Sequence, residues 1–492
     1  MSENKDKLKQ LKNALGLKSG ADISPGKKPV RKKRAVSRSK RGGKSTAASD
    51  GGQAVPLAGS ELSRRLYRHL GLENSVPDSR PVDETAEAVP LESLLDGEVI
   101  ENEEGAFYLW KRSFPLTHHV GRIPLMEGLR CGGREIALSA LDEDLASFDP
   151  ARACFLDAET TGLAGGAGTV AFLIGIGYYS ENAFILEQCF MRDYDDEAAM
   201  LLYLSEKLGS FETLVSYNGK SFDAPLLRSR FVQSRMAFPL DAIPHYDLVH
   251  AVRRLWKRRL KDCSLTNIEE SVLHFFREND VPGYLIPQLW FDYLEEGDGR
   301  PLEGVFMHHA WDILSLAALA GHLASCIAEK EGTAFFHGED QVSLIRLYFR
   351  NKEFDRVVEQ GEKFLAASLV SDLLRLDCLK LVGKAYKKLG NFEAMRQTWE
   401  ILHEEYPQDP EGAEHLSKFY EHQLRNPFMA RDICRRTLDC LAARVDLDRE
   451  LSDFSRSSLQ GRLRRLEKKL EKYRAKYGQA DLLDHDDEAS QE

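Results

Sequence analysis

At Cys154 the sequence turns from irregular patterning into closely spaced apolar runs. CFLDAETTG (154–162) opens with a stretch suited to a buried strand, then places Asp157 and Glu159 two residues apart. Residues 170–179 and 183–191 are two more strand candidates, rich in β-branched and aromatic residues. Helical spacing follows over 195–208, another buried strand over 213–217 and a second helix over 221–235. Three strands, then helix, strand and helix, specify an α/β domain with a mixed sheet flanked by helices.

After Gly332 the strands stop, and 340–475 read as almost wholly helical. LYFRNKEFDRVVEQGEKFL (347–365) is similar to AYKKLGNFEAMRQTWEIL (385–402), and a third unit begins at 419. Tyr348, Tyr386 and Tyr420 mark steps of 38 and 34 residues, and Pro407 and Pro410 fall where helix pairs would turn. The pattern resembles tetratricopeptide repeats, whose stacked hairpins build a groove for protein partners. A plain helical lid is the competing reading. Leu459, Leu463, Leu466 and Leu470 share one face of a last helix, expected to cap the array. The layout expected is a disordered basic tail (1–58), an accessory region with a few short strands (59–150), the α/β domain (151–330), helical repeats (338–476) and an acidic tail (477–492).

Composition narrows the class. With 492 residues, 42% hydrophobic, the chain is long enough for several domain cores. Its eight cysteines form no CxxC pair, which argues against a zinc ribbon or redox dithiol and suits a reducing, cytoplasmic setting. The run at 170–179 is too short to cross a bilayer, and no apolar segment follows Met1, so neither membrane nor secretory signal is expected. Residues 1–50 hold 15 Lys or Arg against 4 Asp or Glu; this local +11 leaves −22 on the remainder of a chain whose total is −11. Such an arm either holds a polyanion such as RNA or DNA or merely solubilises.

Asp157 and Glu159, at i and i+2 of one strand, put both carboxylates on one face. Carboxylates so placed repel unless cations lie between them, and hard oxygen donors suit Mg²⁺ or Mn²⁺. The longer string FLDAETTGLAGGAGTVAFLIGIG (155–177) resembles the first motif of the DEDD exonucleases of the RNase H-like superfamily, in particular the bacterial YprB-type branch. YNGKSFDAPLL (217–227) resembles the second motif, with Asn218 and Asp223 in its NxxxFD pattern. HHAWDILSL (308–316) resembles the third, with Asp312 on a helix.

The resemblance implies an RNase H-like fold and two divalent cations, one among Asp157, Glu159 and Asp312 and the other between Asp157 and Asp223. It implies metal-dependent hydrolysis of nucleic acid, 3′–5′ in direction. Asn218 and Thr160 would orient the site or the substrate. The third motif departs from the familiar forms, which place Tyr four residues or His five residues before the last Asp. Here His308 stands four before Asp312, on the same helical face, and Met307 five before. His308 is the expected general base, in the histidine range near pH 6–7; His309 is expected to point elsewhere.

Three further features have two readings each or a structural one. GLAGGAG (162–168) lacks the GK[ST] of a phosphate loop and suits a turn between strands. RRLWKRRLK (253–261) either guides a nucleic-acid backbone through Arg254, Trp256, Lys257 and Arg258, or is an amphipathic face that buries Leu255 and Trp256. Asp247, in HYDLV, reads as structural. The chain is thus expected to be a nuclease; the alternative is a weakly catalytic or inactive nucleic-acid-binding adaptor that recruits partners through its repeats.

Overall fold

A computed structural model gives the fold and describes residues 88–162, 168–329, 335–367, 371–443 and 449–477. Outside the described residues lie the basic tail expected over 1–58, the rest of the accessory region to 87, most of the 162–168 turn and the acidic tail after 477.

Seven strands build one mixed sheet: β1 (Glu98–Asn102), β2 (Gly105–Pro115), β3 (Ala153–Thr160), β4 (Ala171–Tyr179), β5 (Ala183–Phe190), β6 (Thr213–Ser216) and β7 (His245–Asp247). Their order across it is β1-β2-β5-β4-β3-β6-β7. β3 pairs antiparallel with β4 and parallel with β6, so it is central, and only β3, β6 and β7 run parallel. Of the strands read from 98 onward, β1 and β2 join this same sheet, β2 lying along β5 from Tyr108↔Phe190 to Pro115↔Ala183, while His119–Val120 and Ile123–Pro124 pair with each other in a separate ribbon. A pairing partner some 70 residues downstream leaves no local mark in sequence. Phe107 meets Tyr203 on one face while Tyr108 and Trp110 meet Phe306 on the other, so the unbroken FYLW run is buried on both sides.

Helices cover both faces: α1 (Gly133–Ala140), α2 (Glu197–Leu208), α3 (Asp223–Gln233), α4 (Leu248–Trp256), α5 (Ile286–Glu296) and α6 (Arg300–Ala328). By length and composition α6 could cross a bilayer, but 78% of its most apolar window is buried inside the protein, across β3, β4 and β5. It lies close because β4 carries glycines beneath it. A Cβ on Gly175 would sit 2.1 Å from Ile313 Cδ1 and 2.5 Å from His309 Cε1, and one on Gly177 would sit 2.6 Å from Ile313 Cγ2. A side chain at either position would have to displace Ile313, and at Gly175 His309 as well.

Seven helices follow: α7 (Gly338–Arg350), α8 (Phe354–Leu365), α9 (Asp372–Leu389), α10 (Phe392–Glu405), α11 (Pro410–His422), α12 (Pro427–Ala443) and α13 (Arg449–Tyr477). Each packs on the next, and Leu459, Leu466 and Leu470 of α13 are buried against the array. One apolar core runs from the sheet through α4 and α6 into α7, α8 and α9. Tyr348 of α7 donates its hydroxyl to the Ile327 carbonyl at the end of α6 (2.8 Å).

Candidate active site

β3 passes from core to surface within eight residues: Ala153–Leu156 are buried, while Asp157, Glu159 and Thr160 are half-buried at its carboxyl end. Asp157 pairs across the sheet with Gly175, directly under α6. Asp312 and His308 lie one turn apart on α6, and His308 Nε2 is 3.4 Å from Asp312 Oδ2 and 3.9 Å from Glu159 Oε1. Glu159, His308 and Asp312 offer donor atoms all within 4.8 Å of one another. Asp223, first residue of α3, follows the loop after β6 and feels the charges of Asp157 and Asp312.

That loop is shaped by Asp247. Its carboxylate accepts the backbone N–H groups of Asn218 (2.7 Å), Lys220 (3.1 Å) and Val249 (3.2 Å), which holds Asn218 left-handed at φ +66°. Asn is among the few non-glycine residues that tolerate this conformation. Asp247 therefore has the structural role read from the sequence, and a specific one: it aims the segment that delivers Asp223.

The acids repel one another. Burial and the charges of Asp157 and Asp312 push Glu159 up to about 8. Burial pushes Asp157 up to about 6, and raises Asp223 and Asp312 as well. A cluster of hard oxygen donors that resists ionising together has the chemistry that could hold a divalent cation.

Three residues absent from the sequence reading stand around it. A π-turn over Glu269–Leu273 presents Glu269, fully buried, and the loop after it brings Arg277 and Asp280. Arg277, only 3% exposed, binds Glu269 bidentately through Nε (2.7 Å) and Nη2 (2.6 Å), and Nη2 also donates to Asp312 Oδ1 (2.6 Å). Asp280 accepts from His308 Nδ1 (2.7 Å). Only a charged cluster in a loop, HFFREND (274–280), marks Arg277 and Asp280 in the sequence, and nothing marks Glu269.

The two histidines divide sharply. Burial pushes His308 down, but the Asp280 hydrogen bond and the charges of Asp312 and Glu159 outweigh it and raise the imidazole to about 9. That lies above the range near 6–7 expected from the sequence. His309 is fully buried and pushed down to about 4 by burial. Gln188 donates to its Nδ1 (3.0 Å), so its Nε2–H donates to the Asp157 carbonyl (3.1 Å). Far from pointing elsewhere, His309 pins α6 to the strand at Asp157.

The other expected substrate contacts separate. Thr160 Oγ1 donates to the Gly162 carbonyl (3.2 Å). Trp256 is 1% exposed and stacks on His322 at 6.1 Å, so no base can reach it. Arg258 pairs with Asp377 of α9 (2.7 Å) and Arg254 donates to the Ser139 carbonyl (2.8 Å). Lys257 remains exposed. Helical periodicity around Leu255 had made burial of Trp256 the competing reading, and burial is what occurs.

A central strand whose carboxyl end meets a helix at a cluster of acids is the arrangement of an RNase H-type domain, and residues 154–324 match the RNase_H superfamily. This is a nuclease-type, nucleic-acid-acting domain. Over 320 residues, 64% of this chain and 74% of the relative, the chain is 32% identical to the uncharacterized protein YprB of Bacillus subtilis, and it belongs to that family. A family B DNA polymerase from the hyperthermophilic archaeon Pyrobaculum calidifontis is 16% identical over 45% of this chain, with a TM-score of 0.30, and this chain spans 30% of its length.

Proposed function

We propose that the chain is a metal-dependent 3′–5′ exonuclease of the DEDD type, with Asp157, Glu159, Asp223 and Asp312 holding two divalent cations, Mg²⁺ or Mn²⁺. The observation that carries this reading is the approach of acids from β3, α3 and α6 to one another, with Glu159 and Asp312 grouped beside His308, where burial first and their mutual charge second raise their pKa values. Cations bound there would supply Lewis acidity and an acidified water for in-line attack on a phosphodiester. His308 presents Nε2 to the same site while Asp280 holds Nδ1, so it would take up the attacking water's proton once the acids around it are neutralised. Arg277 keeps Asp312 in place through the buried pair with Glu269. Exposed aromatics adjoin these residues in sequence, Phe222 beside Asp223 and Phe276 beside Arg277, and suit stacking against bases. The helical array is proposed to be of tetratricopeptide type and to offer a surface to protein partners.

The test incubates 5′-labelled single-stranded RNA and DNA with the protein in Mn²⁺ or in EDTA. A ladder of progressively shorter labelled products in Mn²⁺ alone is expected. Intact strands in both conditions would favour the non-catalytic adaptor.

A further inference from the structure

The basic stretch at 253–261 does not form a single surface. Arg258 and Arg259 turn towards the helical array and pair with Asp377 (2.7 Å) and Asp340 (2.8 Å). Arg253, Lys257 and Lys261 recur every four residues and line one open groove of about 420 Å³, whose wall includes Tyr217 and Asn218. One acid, Asp262, lines it too, its carboxylate accepting the N–H (3.0 Å) and hydroxyl (2.8 Å) of Ser264. Arg253 also lines an adjoining cleft of about 230 Å³ between α4 and α7, shared with Arg254, Arg350 and Arg346, the last of which also pairs with Asp377 at 3.4 Å. Among the described residues, Arg253, Lys257, Lys261 and Arg350 have no carboxylate partner.

Like charges gathered in a cleft repel one another and favour a bound anion. After burial, the charge of Arg350 is the largest influence pulling Arg254 down. The chain is acidic overall, so this concentration of cations is local, not a general property of the surface. It starts beside Asn218, in the loop that leads to Asp223, and ends against the helical array.

We infer that Lys261, Lys257 and Arg253, continued by Arg254, Arg350 and Arg346, form a track for the phosphodiester backbone of the nucleic-acid strand whose end lies at the carboxylates. This rests on the nuclease reading for the position of that end, and on the charge geometry alone for the track. A single small anion would fill one cleft, whereas two adjoining clefts bridged by Arg253 suit a polymer with repeated charges. Helix α4 would then serve two purposes: its apolar face anchors the array through Trp256, and its outer face carries substrate past the junction.

The test measures binding in EDTA, where hydrolysis plays no part, by fluorescence anisotropy of labelled RNA and DNA single strands. The proteins are the full chain and a Lys257→Glu/Lys261→Glu/Arg350→Glu variant, with Lys388→Glu/Lys468→Glu/Lys472→Glu as an equally charged change elsewhere. Each lost phosphate contact on a single strand lowers the slope of log K against log salt by about 0.7, so the track variant should lose about 2 from its slope on a strand of about 20 nucleotides. Affinity for that strand should fall at least about tenfold, much less for a strand of about four nucleotides, and the remote variant should lose little. Lys257→Arg/Lys261→Arg should retain wild-type binding, which separates lost charge from lost folding. Wild-type slope and affinity in the track variant, or equal losses in the remote one, would overturn the track. Loss of binding in the track variant, with no hydrolysis by wild type in Mn²⁺, would sustain the track and remove the nuclease reading.

Discussion

The carboxylate centre and the basic face of α4 handle unbalanced charge in opposite ways. At the centre, four acids are packed among internal cations: Arg277 is tied to Glu269 and Asp312, and His308 stands between Asp280, Asp312 and Glu159. On α4 the cations toward the array are paired, while those along the groove are left open to solvent. The difference reflects burial. Charges taken out of water must be neutralised within the protein, whereas exposed ones can wait for a ligand. On the proposals made above, the first would hold small, highly charged ions and the second a long polyanion.

The most severe way to break the acidic side is Asp157→Asn. Hydrolysis should fall to background, while the metal-free protein stays folded or gains stability from the lost repulsion, read by strand cleavage and thermal melting. Next is His308→Ala, for which a loss in turnover of about 10²–10⁴-fold is expected. His309→Ala should act differently, lowering stability by freeing α6 from Asp157, with the melting temperature as readout. If His309→Ala impairs turnover alone and His308→Ala does nothing, the roles of the two histidines are reversed.

Arg277→Met sharpens the point about burial. It leaves Glu269 charged and unpaired in the interior and should destabilise the fold by about 3–5 kcal/mol in urea unfolding, with much of the loss recovered in Arg277→Met/Glu269→Leu. Without metal, pH should act on the centre in one direction. Glu159 is raised from 4.5 to about 8 and His308 from 6.5 to about 9, so both bind protons more tightly when folded. The stability they contribute is complete below their unfolded values and is lost as pH rises through the folded ones. Metal-free wild type should therefore lose stability relative to Glu159→Gln as pH rises from 4.5 to about 8; a difference that stays flat would mean Glu159 is not perturbed. The smallest effect belongs to the basic arm. Removing residues 1–50 should lower the salt slope of nucleic-acid binding and leave turnover at saturation nearly unchanged.

Four of the sheet's later strands and the two helices after the third of them were legible because their periodicity is local: the run read at 170–179 is the strand Ala171–Tyr179, and 221–235 contains Asp223–Gln233, whereas the three-residue strand His245–Asp247 is too short to show a period. The four acids were legible because short motifs carry them on those same elements. The membership of 98–115 in the sheet was not, since Gly105–Pro115 gains its partner from a distant strand. Glu269, Arg277 and Asp280 were hidden for a related reason. They stand on a π-turn and an irregular loop, where no period marks which side chains face inward. The Arg, Lys and Trp of 253–261 were visible as a group, but only packing decides which are captured and which stay free: α6 takes Trp256, α7 takes Arg259 and α9 takes Arg258.

The central claim is that the acids at 157, 159, 223 and 312 form a divalent-cation centre, and counting bound ions tests it without relying on any activity. Mn²⁺ titrated into the metal-free protein and followed by electron paramagnetic resonance should saturate at two ions per chain. Asp157→Asn should lose at least one of them while its circular dichroism spectrum is unchanged. Equal Mn²⁺ binding by folded wild type and Asp157→Asn, or none by either, would contradict the account.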